Sequence, residues 1–537
     1  MMSAPSSFSP FSSSHLTCSL LISVVTIALI TTTGCGSSGS STSMPKLSGT
    51  TSVTVLLSST ANDQVSNFDL TIQSLTLTDQ AGKTIPVLNA SSPAEFVHLN
   101  SDIEPLTTVT IAQDVYTSAT ITLGGAEFVC IAQDPTGGLL FSHYSIVNQS
   151  PVVNLASPIT VTGNSMVLSL NLLVSDSAIL PSCYSEPIFT GYSMSPTFSL
   201  TPLAVSPSPT NAENGLVTGL EATVVSVGAT GSSVTLTVPA ISFGTRTVQA
   251  HANSATVFQG ISGFSALASG MFLNLDGALQ SDGSLLATRI EVENPTALNV
   301  STGPLISVDT LVPLLTQYGR TQMGPLLTDW VNNQPGQYDE IPYFNFSNTT
   351  FQISGQFTNL QSLPFVPSFN GSNMVAGQNV DVTSGVLTLG GTNYTPADTI
   401  ALIPQTINGT VQSISTSGSF TVYTVSLASY DLFPQLAVQQ GQTTVLNNPS
   451  EVQVYVDSNT QKLNTQTLAT GSTLRFYGLV FNDNGTLRMD CGQVNDGVAF
   501  STQSTSAGKM AAGQTRIVRR QGAGTLQPAI TEITRSR

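Results

Sequence analysis

The sequence predicts an all-β protein in which a β-sandwich is followed by three small β-barrels. Only 8% of the 537 residues are charged, against roughly 25% in an average soluble domain, so the Glu, Lys and Arg of surface helices are scarce. Apolar residues alternate with Ser and Thr over long stretches, which is typical of strands with one buried face. A chain of this length also needs several cores, because one core rarely serves more than about 250 residues.

The N-terminal segment predicts export and a lipid anchor. Residues 20–30 are an apolar segment that is too short to span a bilayer but long enough for the core of a signal peptide. It leads to TTTGC, in which Gly34-Cys35 resembles the lipobox of bacterial lipoproteins, where the cysteine is acylated. The sequence departs from that family at Thr32, where leucine is usual, and in its lack of an early Lys or Arg. Residues 1–35 are therefore predicted to be a lipoprotein signal and residues 36–47 a flexible tether.

Gly36 rather than aspartate follows the cysteine, so the resemblance implies the outer membrane, with the membrane engaged through the lipid. The alternative is an ordinary secretory signal that is cut nearby, which leaves the protein secreted and Cys35 incidental. Export also places the chain in an oxidising compartment, where disulfides persist. Cys130 and Cys183 both end strand-like stretches and are predicted to form a disulfide, and two buried thiols are the other interpretation.

Residues 48–202 are predicted to form the sandwich. Alternating stretches such as FDLTIQSLTLTD and SMVLSLNLLVSD are separated by Gly, Pro and Asn turns, as in antiparallel strands. The order of VTVLLSS, a strand pair around DQAGK, VHLN and QDVYTSATITLGG resembles domain of unknown function 4382, a prealbumin-like sandwich of envelope lipoproteins. The resemblance covers residues 48–125 best and implies no activity. Residues 203–215 are rich in Pro, Ser and Asn and are predicted to be a linker.

The rest of the chain contains one short sequence pattern three times. The stretch ATVVSV returns as GPLISV and GTVQSI, and each copy leads to a glycine that begins another strand: Gly270, Gly377 or Gly471. Such a glycine lets the chain turn into a strand after a loop. The repeats resemble domain of unknown function 5666, whose modules look like small OB-type barrels, so the resemblance implies an OB-like fold for each. The three predicted barrels are 216–298, 299–405 and 406–500.

The middle repeat is longer than the first and carries many aromatic residues. We predict two short helices in it, at 310–317 and 325–332. Exposed aromatic rings anchor protein partners and stack on sugars. The competing interpretation is a satellite core that covers one end of the barrel, because aromatic residues are most often buried. The candidate ligand-binding residues are Trp330, Tyr318, Tyr338 and Tyr343.

The negative net charge of the chain argues against nucleic acids as partners. The chain has 14 basic and 30 acidic residues and a net charge of −16, so its surface repels the phosphates of nucleic acids. Six of the basic residues lie in the tail, 501–537, which is predicted to be solvated and disordered, and a tail that docks on the acidic body or on anionic envelope glycolipid is the alternative. No catalytic fingerprint is present, and the spacing of Cys and His residues suggests no metal or other cofactor.

These features predict a non-catalytic lipoprotein of the cell envelope that binds a glycan or an envelope protein, or acts as a scaffold. The first alternative is a secreted carbohydrate-active enzyme with an unrecognised site, which a pair of carboxylates about 5–9 Å apart in a cleft would favour. The second alternative is a purely structural spacer, which needs neither a pocket nor an aromatic platform.

Mass spectrometry of the mature amino terminus tests the lipid anchor. We expect the mature chain to begin at Cys35 and this residue to carry acyl chains, because cleavage before the cysteine and acylation occur together in bacterial lipoproteins. A mature chain that begins elsewhere with an unacylated amino group contradicts this prediction.

Overall fold

The protein is built almost entirely of β-strands, which confirms the predicted all-β class. The computed structural model describes residues 47–496 with interruptions, so Cys35, Cys183, Trp330 and the basic tail lie outside it. In the part of the chain that it describes, no helix is long and apolar enough to cross a membrane. The interruptions are 61–66, 98, 100–101, 134–138, 150, 178–191, 230–231, 241–243, 295–298, 310–313, 324–325, 328–331, 334–337, 345–347, 357–359, 386, 390–391, 428–430, 437–445 and 464–467.

The first twelve strands form a sandwich of two sheets. They are β1 (Thr50–Thr60), β2 (Asn67–Asp79), β3 (Thr84–Leu88), β4 (Ser92–Glu95), β5 (Glu104–Ala112), β6 (Asp114–Gln133), β7 (Leu139–Gln149), β8 (Val152–Asn154), β9 (Ile159–Val161), β10 (Ser165–Leu173), β11 (Tyr192–Met194) and β12 (Thr197–Leu203), with a short helix, α1 (Val174–Ser177), after β10. One sheet has the order β5-β1-β10-β12-β8. The other has the order β11-β7-β6-β2-β3, with β4 on β2 and β9 on β6. Both sheets contribute apolar side chains to one core.

The first strand, β1, contacts both the sandwich core and the barrel that follows the sandwich. Val55 and Leu57 of β1 belong to the sandwich core. Leu56 is also fully buried, but it packs in a second core with residues of the barrel that follows, together with Ile103 and Val167. Successive side chains of a strand point to opposite faces of the sheet. Both faces of β1 are therefore covered, one by the second sheet and one by the first barrel.

Three six-stranded sheets follow, one in each repeat of the sequence. Barrel 1 consists of β13 (Leu216–Val227), β14 (Ser233–Ala240), β15 (Gly244–His251), β16 (Val257–Gln259), β17 (Phe272–Leu279) and β18 (Leu285–Asn294). The second repeat contains β19 (Asn299–Asp309), β20 (Leu314–Met323), β21 (Leu326–Leu327), β22 (Asn332–Asn333), β23 (Tyr338–Phe344), β24 (Thr350–Ile353), β25 (Asn379–Ser384), β26 (Leu387–Leu389), β27 (Thr392–Tyr394) and β28 (Thr399–Leu402). Barrel 3 consists of β29 (Gln405–Ser417), β30 (Phe420–Leu427), a helix α2 (Leu432–Leu436), β31 (Glu451–Val456), β32 (Gln461–Lys462), β33 (Thr473–Asp483) and β34 (Thr486–Asp496).

The strand order is the same in all three barrels. It is β15-β14-β13-β17-β18-β16 in barrel 1, β23-β20-β19-β25-β28-β24 in barrel 2 and β31-β30-β29-β33-β34-β32 in barrel 3. In barrels 1 and 3 the sheet closes on itself, because β15 pairs in parallel with β18 and β31 pairs in parallel with β34. A small Greek-key barrel of this kind is the OB-fold, so the predicted OB-like barrel is present in the first and third repeats, and the sheet of the second repeat, which we call barrel 2, has the same strand order.

The repeated sequence pattern lies at a bend in the first strand of each barrel. There the pairing with the second strand shifts by one residue, which is a β-bulge, and a bulge increases the bend of a strand. The shifts occur between Val224 and Ser226, Leu305 and Ser307, and Val411 and Ser413. Beside each bulge a glycine with a positive φ donates its N–H to the first strand at 2.8 Å. The donors are Gly270, Gly377 and Gly471, and the acceptors are the carbonyls of Val224, Leu305 and Val411.

The two helices predicted in the middle repeat are wrong. Residues 314–323 form β20, which pairs with β19 on one side and β23 on the other. Residues 326–327 and 332–333 pair as β21 and β22. A short isolated helix is marginal in water, whereas strand pairing on both sides satisfies the backbone of β20. Within this stretch β20, β23 and β24 are therefore barrel wall, not an added platform.

The predicted linker at 203–215 is folded. Val205 packs against the core of barrel 1, and the N–H of Ser206 donates to the carbonyl of Asn214 at 2.9 Å. The side-chain oxygen of Asn214 accepts hydrogen bonds from the N–H groups of Thr210 and Asn211 at 2.7 and 3.0 Å. Short polar side chains stabilise turns in this way, and such turns show no hydrophobic periodicity.

A buried ion pair and a hydrogen bond connect the sandwich to barrel 1. Arg246 of β15 contacts Glu104 of β5, and the two side chains are only 6% and 7% exposed. The Thr218 hydroxyl donates to Asp102 Oδ1 at 2.6 Å. A buried ion pair contributes little net stability, but the loss of one partner is costly because it leaves a buried charge. These contacts therefore specify how the two modules meet.

Replacing Arg246 with methionine is expected to lower the free energy of unfolding by about 3 kcal/mol, because Glu104 then loses its buried counter-ion. Adding Glu104→Gln to Arg246→Met is expected to recover part of this loss. Urea denaturation followed by circular dichroism measures both effects. Lys83→Met removes an exposed cation of the sandwich and is the control, with an expected effect below about 0.5 kcal/mol. A cost for Arg246→Met no larger than that of the control contradicts the prediction.

Candidate functional site

The aromatic residues predicted to bind a ligand do not form an exposed platform. Tyr318 and Tyr343 are buried, with exposed fractions of 2% and 0%. Tyr338 lies in β23, but its side chain is outside the described residues, and so is the whole of Trp330. Two of the four predicted contacts are therefore core residues, as the satellite-core interpretation requires of them.

Tyr318 is buried because another module covers it. It lies in β20 among Ile306, Ala376 and Leu436, and Leu436 belongs to α2 of the third repeat. Its ring thus packs at the contact between barrels 2 and 3. The alternation of residues along β20 shows which side of the strand faces out, but not that α2 covers that side.

Tyr343 packs in the core of barrel 2. Its hydroxyl forms a hydrogen bond with the Ser301 hydroxyl, which also contacts Gln317 Oε1. Gln317 Nε2 in turn donates to the carbonyl of Val380 at 2.7 Å. Burial raises the pKa of Tyr343, so the phenol stays protonated. Buried tyrosines usually need such a partner for the hydroxyl, and this network is structural.

The cysteines do not form a described site. Cys130 lies in β6 opposite Ser142 of β7, and its predicted partner Cys183 is outside the described residues, so the disulfide stays a prediction. Cys491 is a free, buried thiol in β34. Burial raises the pKa of Cys491, and a protonated thiol is a poor nucleophile.

A set of ionisable side chains lies where the sandwich and the three barrels meet, although charged residues make up only 8% of the chain. One comes from the sandwich, five from barrel 1, and one each from barrels 2 and 3. We call this set the junction cluster. It consists of Asp102, Glu221, Asp276, Arg289, Glu291, Glu293, Asp381 and Tyr477.

Strand alternation in barrel 1 places the acids of the cluster on the outside of that barrel. Leu275 and Ile290 point into the barrel core, so their neighbours in β17 and β18 point away from it. The register then brings Asp276 opposite Arg289. Acids and apolar residues alternate in the same way along the stretch IEVEN, which contains Glu291. Such alternation alone predicts a solvated face, so the sequence does not reveal that barrel 2 covers it.

Arg289 is a buried cation at the centre of the cluster. Its Nε lies 2.6 Å from Asp276 Oδ2, and its Nη1 lies 2.6 Å from Glu291 Oε2. Burial alone would lower the pKa of Arg289, but Asp276, Glu291 and Glu293 more than offset it, and the pKa is above its ordinary value. Arg289 is therefore always charged, and it compensates part of the negative charge around it.

The cluster also connects the barrels to one another. Both carboxylate oxygens of Glu291 accept the N–H of Gly355 in the second repeat, at 3.0 and 3.1 Å. The Tyr477 hydroxyl of barrel 3 forms a hydrogen bond with Gln356. Burial and the nearby carboxylate of Asp102 raise the pKa of Tyr477 well above its ordinary value, with a smaller effect of Asp276. Acids of the sandwich and of barrel 1 thus surround a phenol of barrel 3.

Glu293 of β18 and Asp381 of β25 place two buried carboxyl groups, one from barrel 1 and one from barrel 2, close enough for a hydrogen bond when one of them carries a proton. Both oxygens of Glu293 and Oδ2 of Asp381 are inaccessible to solvent and have no other hydrogen-bond partner among the described residues. The remaining oxygen of Asp381 accepts a hydrogen bond from the Thr302 hydroxyl. Mainly because of burial, the pKa of Glu293 is raised to about 7 and that of Asp381 well above its ordinary value. Two touching carboxyl groups cannot both ionise cheaply, so the pair holds a proton at neutral pH.

This geometry suits proton binding better than metal binding or hydrolysis. The described residues contain no group of three or more His, Cys, Asp or Glu side chains placed to hold a metal ion. A glycosidase needs its two carboxyl groups about 5–9 Å apart with a sugar between them. Glu293 and Asp381 instead touch each other, and their free oxygens face no solvent.

Arg289→Met is expected to lower the free energy of unfolding by about 3–5 kcal/mol at pH 8, because it leaves several buried carboxylates without their cation. The loss should be smaller at pH 5, because the pKa of Glu293 is raised to about 7 and its protonated carboxyl group then adds no negative charge beside the missing cation. Denaturant titration at both pH values measures the difference. Lys462→Met, which removes an exposed cation of barrel 3, is the control. Equal losses at the two pH values contradict the prediction.

Two solved structures show a weak similarity to the chain. Drosophila Unr is 10% identical, with a TM-score of 0.12, and the match covers 53% of this chain and 98% of that one. A deletion mutant of the single-stranded DNA binding protein from Thermus aquaticus is 14% identical, with a TM-score of 0.13, and the match covers 38% of this chain and 96% of that one. Similarities at this level carry no argument about this chain. No curated protein matches it.

One family has a sequence model that matches part of the chain. It is described as a domain of unknown function (DUF5666), and the match spans residues 215–291. This range begins one residue before β13 and ends within β18, so it covers barrel 1. Barrels 2 and 3 have the same strand order as barrel 1. Residues 215–291 are therefore similar to DUF5666, and the two repeats that follow have the strand order of this region.

Proposed function

We propose that the protein is a non-catalytic lipoprotein of the cell envelope that binds or scaffolds. In this proposal Cys35 anchors it to the outer membrane, and a sandwich of the 4382 type carries the three barrels. The observation that supports this function best is that the sandwich and the barrels are joined by buried contacts. A body of this kind holds its loops and faces at fixed positions, which is what a scaffold requires.

The contact between barrels 2 and 3 illustrates this rigidity. Leu479 and Phe481 of β33 are fully buried in the core of barrel 2. Gln378 Nε2 donates to the carbonyl of Val480 at 2.8 Å, and Gln378 is itself fully buried. Because one strand contributes to two cores, neither barrel can rotate against the other without exposing apolar surface.

OB barrels commonly use the outer face of their second and third strands for ligands. In barrel 2, Tyr318 lies on this face and is covered by Leu436. In barrel 3, Val422 and Tyr455 lie on it and are covered by Leu363 of the second repeat. Two of the three barrels therefore use this face to pack against a neighbouring repeat.

The same face of barrel 1 is open. Thr247 and Gln249 of β15 are exposed, and Thr235 and Thr237 of β14 are half-buried. The Thr235 hydroxyl donates to Gln249 Oε1 at 3.1 Å across the two strands. Hydroxyl and amide groups without charge can exchange hydrogen bonds with the hydroxyls of a glycan or with a polar protein surface. We therefore place the ligand contact on this face of barrel 1.

A purely structural spacer is the second candidate function. In barrels 2 and 3 the face that OB barrels use for ligands is covered by a neighbouring repeat. These two barrels therefore use it for packing, and this favours the spacer. The two candidates differ at barrel 1, because a spacer does not need its open face.

The double variant Thr247→Arg/Gln249→Arg tests the proposed contact. Two long charged side chains should obstruct the face and weaken binding of the full chain to envelope glycans, or to an envelope protein, at least about tenfold, as at an interface hot spot. The melting temperature should stay within about 2 °C, because both positions are exposed. A glycan array and cross-linking in intact cells are the measurements.

Ser415→Arg/Thr416→Arg is the matched control, because both residues are exposed in β29 and the change in charge is the same. Equal binding by the two double variants contradicts the contact on barrel 1. A chain that binds no envelope component supports the spacer. Shortening of a polysaccharide by the purified chain would support the carbohydrate-active enzyme instead.

A further inference from the structure

We propose that Glu293 and Asp381 form a proton-dependent contact that holds barrels 1 and 2 together and loosens when the proton is lost. The two carboxyl groups come from different barrels and lie within hydrogen-bonding reach of each other, and no other described residue forms a hydrogen bond with either Glu293 oxygen or with Asp381 Oδ2. While the pair is protonated, an O–H donor joins the barrels. When the pair loses a proton, it carries a negative charge that is buried at the interface. Hydration of that charge favours separation of β18 from β25.

The burial of the pair makes its charge state matter. Asp381 is 1% exposed, and its oxygen Oδ2 neither reaches solvent nor accepts a hydrogen bond from a donor among the described residues. Neither oxygen of Glu293 reaches solvent. An ionised carboxylate in such a place has lost its hydration, and it regains this hydration only if the interface opens. An exposed carboxyl pair would titrate without moving anything.

The charged and titratable groups around the pair do not neutralise it. Glu291 and Glu221 lie close enough to disfavour ionisation of Glu293. Arg289 favours ionisation, but it also contacts Asp276 and Glu291. On the side of barrel 2, Asp381 faces the hydroxyl of Thr302 and the protonated phenol of Tyr343. Acids outnumber the single arginine in this set, so a proton is the remaining means of removing the excess charge.

The direction of the pH effect follows from the raised pKa of Glu293. Its ordinary value is 4.5 and its value in the folded protein is about 7, so between these values the closed interface binds more protons than the opened one. The contact is therefore strongest below this window and weakens as the pH rises through it. From pH 5.5 to pH 8.5 the equilibrium constant for opening should rise about 30-fold through this one group.

Hydrogen–deuterium exchange of the full chain measures this opening. Peptides from β18 and β25 should exchange about 30-fold faster at pH 8.5 than at pH 5.5 after correction for the intrinsic pH dependence of exchange. Glu293→Gln keeps the shape and a hydrogen bond to Asp381 but cannot ionise, so its corrected exchange should lose this increase. Asp381→Asn should likewise alter the pH dependence. Glu213→Gln, at an exposed position of barrel 1's entry turn, should behave as the unaltered chain.

Equal pH dependence in the unaltered chain and in Glu293→Gln overturns the proposal and leaves the pair as a static contact. If Glu293→Gln does not fold, infrared difference spectra of the unaltered chain decide the question. A carboxylic-acid C=O band that disappears between pH 5.5 and pH 8.5 together with faster exchange of β18 and β25 supports the proposal. Faster exchange without loss of that band, or loss of the band without faster exchange, overturns it.

Discussion

Each barrel depends on one bend in its first strand. The bend combines a β-bulge with a glycine of positive φ that donates its N–H back to the strand. A straight strand cannot pair with two neighbours and also curve around a core, so the bulge lets a single strand serve both partners. The bulged residue itself is free to vary: Val225 is exposed, whereas Ile306 is buried. The backbone geometry is what the three repeats share.

Once the barrels have formed, they bury each other's faces. Leu56 of the sandwich is covered by barrel 1, Tyr318 of barrel 2 is covered by α2 of the third repeat, and Val422 of barrel 3 is covered by Leu363 of the second repeat. Small barrels have little interior, so additional apolar burial must come from their outer surfaces. The same logic explains why the proline- and serine-rich segment at 203–215 is folded: it runs against barrel 1, and Val205 joins that core. The repeats are therefore parts of one body, not separate modules on a string.

The scarcity of charge gives the junction cluster its influence. In a chain with 8% charged residues, a buried arginine and several buried acids dominate the local field, because few surface charges are near enough to compete and buried groups are weakly screened. Arg289 compensates part of the negative charge of Asp276 and Glu291. Glu293 and Asp381 are left to share protons. The same burial that makes the interface rigid thus makes it responsive to pH.

The sequence by itself determined the all-β class, the three repeats and the turning role of the glycines at 270, 377 and 471, because strand alternation and a glycine turn are properties of a few neighbouring residues. Only the tertiary structure decided which outward-facing residues are covered. Tyr318 and Glu293 both occupy positions that alternation assigns to an outer face, and each is buried by residues from another repeat. The helix predicted at 310–317 failed for a related reason, since β19 and β23 on either side made residues 314–323 a strand. Burial is set by what packs against a residue, and here those partners are distant in the chain.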